Sequence, residues 1–212
     1  MSSKSKRKRK TKRGDDDDDE NHQMINEYLN SKQLKQERLN KKIKDAIREM
    51  NVEEIQKILN DGIDLTYPCH AELPVIAAYY TTNKIFEQLW KNGMYIHSNN
   101  TFYGFNALYV ACTQGKKENA FFLMDQGMDI NQVSKNQFLP PFAATLEKLR
   151  SLSHCYGYPD YDDYERFFLE LVKRGGDVRL LNKVNFMGIP IDTTKKIVNT
   201  FLHYNVGKIM MK

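Results

Sequence analysis

What most limits how this chain can fold is a short ending that occurs four times: a leucine-bearing helical turn, a glycine, and then a β-favouring residue two or three positions on. The four segments are ILNDGIDL (58–65), LWKNGMYI (89–96), LMDQGMDI (123–130) and LVKRGGDV (171–178). Their glycines, Gly62, Gly93, Gly127 and Gly175, stand 31, 34 and 48 residues apart. Glycine ends a helix in the left-handed conformation without the penalty a Cβ would bring. One such stop every 33 or so residues marks a unit too small to hold a core alone, so each unit must bury its apolar side against the next.

Between the endings lie matching beginnings. Leu73-Pro74-Val75-Ile76-Ala77-Ala78 follows the first, Asn106-Ala107-Leu108-Tyr109-Val110-Ala111-Cys112 the second, and Leu139-Pro140-Pro141-Phe142-Ala143-Ala144 the third. Proline in the first turn of a helix wastes no hydrogen bond. The paired small residues, Ala77/Ala78, Ala111/Cys112 and Ala143/Ala144, suit a close approach of two helices, with Leu89, Leu123, Leu169 and Leu171 as the bulk across it. Tyr79 follows the first pair and is expected in the core.

In these beginnings and endings the chain resembles the ankyrin repeat, most closely from Asn106 to Asn131. Where that pattern has Thr-Pro this chain has Leu-Pro or Asn-Ala, its His is replaced by Ile76, Tyr109 or Phe142, and Tyr95 stands in place of the usual Asp. The resemblance implies an all-α, ankyrin-like solenoid of about four to five units over residues 40–180, carrying an insertion at 151–164. A capping helix over 22–39 precedes it, and a C-terminal cap over 181–212 closes it with a helix near 192–204. Met24, Ile25, Tyr28 and Leu29, then Leu34, Leu39, Ile43, Ala46, Ile47 and Met50 after Ser31, predict one or two helices before residue 50.

Residues 1–21 differ in kind. Eight of the first 13 residues are Lys or Arg and residues 15–20 are all Asp or Glu, so of the net charge of +5 the rest of the chain carries only 24 basic against 21 acidic residues. A tail of that composition has nothing to pack and is expected to be disordered. The near-neutral remainder excludes a folded surface built throughout for nucleic acid. Lys6, Arg7, Lys8, Arg9, Lys10, Lys12 and Arg13 could serve as a nuclear import signal or a phosphate-binding arm. No aromatic residue is interleaved among them to stack on bases.

Three widely spaced cysteines, Cys69, Cys112 and Cys155, with no apolar leader and no long apolar stretch, point to a reducing interior, the nucleus or cytoplasm of a host cell, and to no membrane. Cys69-His70 and His154-Cys155 lack the spacer a tetrahedral metal site needs. Gly115-Lys116-Lys117 lacks the rest of a phosphate loop, and Asp160, Asp162 and Asp163 are crowded acids without a partner base. No cofactor, no metal and no catalysis are expected.

The leading expectation is therefore a monomeric, non-catalytic protein–protein interaction module whose partner the sequence does not identify. High Asn, Lys, Ile, Tyr and Phe content associates it with the host-directed adaptors or inhibitors of viruses and intracellular microbes. The expected contact residues are Tyr80, Thr81, Thr113 and Gln114 at helix ends and His97, Asn99, Asn100, Phe102 and Tyr103 in the loop between units two and three. Tyr156, Tyr158 and Tyr161 in the insertion complete the set; that segment either recognises a partner or packs back on the repeat. The alternative is a nucleic-acid-associated protein that uses its basic N-terminal arm.

Overall fold

The computed structural model describes residues 13–97, 104–133, 139–152 and 159–183. Within them the fold is all-α, with eight α-helices, two short 3₁₀ segments and no strand. Helix α1 spans Arg13–Arg48, α2 Val52–Asn60, α3 Leu73–Tyr80, α4 Asn83–Lys91, α5 Ala107–Thr113, α6 Lys117–Asp125, α7 Pro141–Leu152 and α8 Pro159–Lys173. The 3₁₀ turns are Pro68–His70 and Val178–Lys183.

Helix α1 runs unbroken from Arg13 to Arg48, one helix where one or two were expected before residue 50; residues 1–12 of the expected tail lie outside the described residues. The acidic run at 15–20 sits in its opening turns, where negative charge favours a helix through the macrodipole. Ser31 does not interrupt it, because its hydroxyl donates to the Tyr28 carbonyl at 2.7 Å one turn back. Met50 ends it at φ 54°, the only non-glycine positive φ among the described residues.

Helix pairing follows chain order. Helix α1 packs on α2 and α3, α3 on α4 and α5, α5 on α6 and α7, and α7 on α8, while α4 also touches α6. The helices thus form two rows, α1-α3-α5-α7 and a second row in which α4 adjoins α6. The small pairs lie at the contacts: Ala77, Ala78, Ala111, Cys112, Ala143 and Ala144 are completely buried. Across from them are Leu89, Leu123, Phe142, Phe168 and Leu171, also without exposed surface. Ile43, Ile47, Ile55 and Ile58 extend the same core under α1 and α2.

Three of the four endings close in the same way. Gly93, Gly127 and Gly175 have φ of 98°, 86° and 112°. The amide after each glycine donates five residues back: Met94 to Leu89 O, Met128 to Leu123 O, and Gly176 to Leu171 O, all at 3.1 Å. This is the six-to-one bond of a Schellman stop, and it satisfies a helix-end carbonyl that would otherwise face the interior. In the first, third and fourth endings the aspartate two residues after the glycine closes a second turn. Asp64 accepts from Thr66 N at 3.1 Å, Asp129 from Asn131 N at 2.8 Å and Asp177 from Arg179 N at 3.0 Å.

Residues 159–164 correct an expectation. The insertion at 151–164 is not loop throughout, since α8 begins at Pro159 and takes in Tyr161 and Tyr164. The predicted helix near 192–204 lies outside the described residues, as does all of the C-terminal cap after Lys183.

Candidate interaction surface

Two exposed aromatic features lie at opposite ends of the helix pairs among the described residues. At the first end, α3 finishes with Tyr79 and Tyr80, which are 45% and 37% exposed with ring centroids 4.6 Å apart. Thr81 then turns inward, fully buried, its hydroxyl donating to Ala77 O at 2.7 Å. Its own carbonyl accepts from Asn119 Nδ2 of α6 at 3.1 Å. The sequence expectation is reversed for this pair: Tyr79 is surface and not core, and Thr81 is core and not contact surface. One residue turns a helix by about 100°, so the position at which the last turn unwinds decides which side chain faces inward.

Thr113 and Gln114, at the corresponding end of α5, are half-buried. The Thr113 hydroxyl donates to Val110 O at 2.9 Å, and its carbonyl accepts from the Tyr164 hydroxyl at 3.3 Å. Tyr164 therefore packs back on the end of α5. Tyr161 lies in α8, its side chain outside the described residues, as are Tyr156 and Tyr158.

The second feature lies at the other end of the pairs, where the glycine endings line up. Thr66 from the first ending, Trp90, Gly93, Met94, Tyr95, Ile96 and His97 from the second, and Gln126 from the third surround a cavity of about 580 Å³. Tyr95 is 64% exposed, and its ring centroid is 5.8 Å from that of His97. Trp90 is held edge-on to Phe122 at 5.3 Å, which fixes the indole as a wall. Thr66 Cγ2 lies 3.4 Å from where a Cβ on Gly93 would stand, so the two endings are in direct contact. Tyr95 occupies the position at which Asp64, Asp129 and Asp177 close turns, and in this one ending an aromatic face replaces a turn-closing carboxylate.

His97 belongs to this groove, an α4 length of roughly 13 Å away from Tyr80, so the structure splits the single contact surface expected from sequence into two. Asn99, Asn100, Phe102 and Tyr103 lie outside the described residues. So do Lys6 to Lys12; Arg13 is the first residue of α1, with its side chain undescribed. Sequence reasoning did not single out Trp90, Tyr95 or Gln126. The departure from Asp at position 95 was the available signal.

On α1 a row of polar side chains bonds the chain that packs against it. Gln36, Asn40 and Lys44 repeat every four residues along α1 and face residues 64–72, from the first ending to the start of α3. Asp64 N donates to Gln36 Oε1 at 3.0 Å, Asn40 Nδ2 donates to Cys69 O at 2.8 Å, and Lys44 Nζ meets Glu72 at 3.0 Å. His70, buried, sits beside Asn40 Oδ1 at 3.0 Å through Nδ1. Burial raises the Cys69 and Cys112 thiols above their ordinary range, keeping them protonated and poor nucleophiles. Among the described residues no group of three His, Cys, Asp or Glu side chains could hold a metal ion, and no helix is long and apolar enough to cross a membrane.

No protein-family model matches the chain, and no curated protein matches it.

Proposed function

We propose that this chain is an ankyrin-like helical solenoid of four to five units acting as a non-catalytic protein–protein interaction module. The observation that carries the reading is the groove at the aligned endings, because its wall is drawn from three successive endings and the exposed Tyr95 ring in it is not needed by the core. Trp90 is packed against Phe122 and Tyr95 is exposed, and such amphipathic rings supply contact area at small entropic cost. Units that repeat at a fixed stride leave surface positions free to vary while the core is kept. The occupant fitting this wall is a protein segment presenting an apolar or aromatic side chain to Trp90 and a polar group to His97 and Gln126. A host protein is the proposed target, with the chain acting as adaptor or inhibitor.

The test is affinity capture from host lysate with the intact chain, with Tyr95→Ala/His97→Ala, and with Tyr79→Ala/Tyr80→Ala. A partner retained at high salt and lost with the first variant is the expected result. Retention by all three, or loss only when residues 1–13 are deleted and with a steep salt dependence, overturns it and favours the basic arm as the binding element.

A further inference from the structure

Helix α1 carries more apolar surface than the folded body covers. Leu39, Ile43, Ala46 and Ile47 are buried against α2 and α3, and the body begins to cover the helix at Gln36, which is 4% exposed. At about 100° per residue, Met24, Ile25, Tyr28 and Leu29 fall on the same stripe further toward the N-terminus. There they are 61%, 54%, 67% and 52% exposed. Four large apolar side chains on one helical stripe are costly to leave in water.

We propose that this free part of α1 pairs with the same segment of a second copy of the chain, antiparallel, about a two-fold axis between Asn26 and Glu27. That axis makes the stripe self-complementary, as a two-fold interface requires. It sets Met24 opposite Leu29 of the second copy and Ile25 opposite Tyr28. The register also favours opposite charges: position 18, an aspartate, falls opposite Lys35. More broadly, the acidic run at 15–20 falls opposite residues 33–38, where Lys35 and Arg38 outweigh Glu37, whereas a parallel pair would set the acidic run on itself. The free length suffices. Position 17 is the counterpart of Gln36, so the two helices overlap for about 30 Å before either meets the other's body. The first turn of each α1 comes to rest at the edge of the second copy. This departs from the monomer expected from sequence.

Sedimentation equilibrium of the full chain over a range of concentrations tests it. The expected result is a monomer–dimer equilibrium with a dissociation constant on the order of 10 µM. Ile25→Asp/Tyr28→Asp should be monomeric throughout while unfolding at the temperature of the unaltered chain, because neither side chain touches the body. Lys35→Asp should weaken the dimer at least about tenfold, and adding Asp18→Lys to it should restore the affinity. For register, Met24→Cys and Leu29→Cys chains, each with Cys69 and Cys155 changed to Ser, should cross-link with one another on mixing and poorly with themselves. A monomer at every concentration, a dimer indifferent to Ile25→Asp/Tyr28→Asp, or cross-linking of each cysteine chain with itself would overturn the proposal.

Discussion

The ring of Tyr164 in α8 lies against Gly115, between α5 and α6, so closely that a Cβ at residue 115 would stand 2.7 Å from the ring carbon and from the hydroxyl oxygen. Gly115 also has a φ of +65°, which L side chains rarely adopt. Gly115→Ala should therefore lose about 1–3 kcal/mol in urea unfolding, from strain and clash together. Tyr164→Ala in that background should recover the clash component. Strictly additive losses would show that the contact does not exist.

Met50 holds the same place after α1 that Gly115 holds after α5. Its amide donates to Ile47 O at 3.1 Å and the next amide to Ala46 O at 2.9 Å, matching Gly115 N to Cys112 O and Lys116 N to Ala111 O. Met50 does so with a side chain at φ 54°. Met50→Gly should raise stability by about 1 kcal/mol, read as a higher midpoint of thermal unfolding.

Ala111 has no exposed surface, and α5 touches α3, α6 and α7. Ala111→Leu should overpack that junction and cost about 1–3 kcal/mol. A melting temperature equal to that of the unaltered chain would refute the close approach of these helices.

Tyr95→Asp should act in two directions. A carboxylate at this position can accept from the amide two residues on, as Asp64, Asp129 and Asp177 do, and should add about 0.5–1 kcal/mol. It also removes an exposed ring of the proposed groove, so partner capture should fall while thermal stability rises.

His70 makes stability depend on pH in a defined window. Burial first and the Lys44 ammonium second lower its imidazole from 6.5 to about 4, with Asp64 acting in the opposite sense. Between those values the unfolded chain binds a proton that the folded chain does not. The contribution is therefore complete above about pH 6.5 and falls on acidification toward pH 4, by at most about 1.4 kcal/mol per unit. His70→Gln keeps a group able to bond Asn40 and does not titrate. Its unfolding free energy should fall less steeply than that of the unaltered chain between pH 6.5 and 4.5, and parallel slopes would show that the buried imidazole does not drive the effect.

The parts of the fold legible in the sequence are those decided within a few residues. A glycine after a leucine-bearing turn signals a left-handed stop because only backbone conformation is at issue, and all four glycines have positive φ. Paired small residues signal close helices because volume is local. The row Gln36, Asn40 and Lys44 was not legible: polar residues four apart look like a solvated helix face until the chain brings residues 64–72, with their unsatisfied amide and carbonyl, against them. Tyr164 was equally ambiguous, since an aromatic in an insertion packs or projects according to what lies beneath it, and Gly115 is 49 positions away.

By itself, then, the sequence determined that the described residues are helical, that helices stop at the four glycine endings, and that the paired small residues are buried, because propensity, capping and volume act over single turns. Only the tertiary structure decided that Tyr79 faces water and Thr81 does not, that Tyr95 and His97 share a groove with Trp90 and Gln126, and that the apolar stripe of α1 outruns the body covering it. Those outcomes depend on which distant surface arrives beside a residue, and no local preference encodes that.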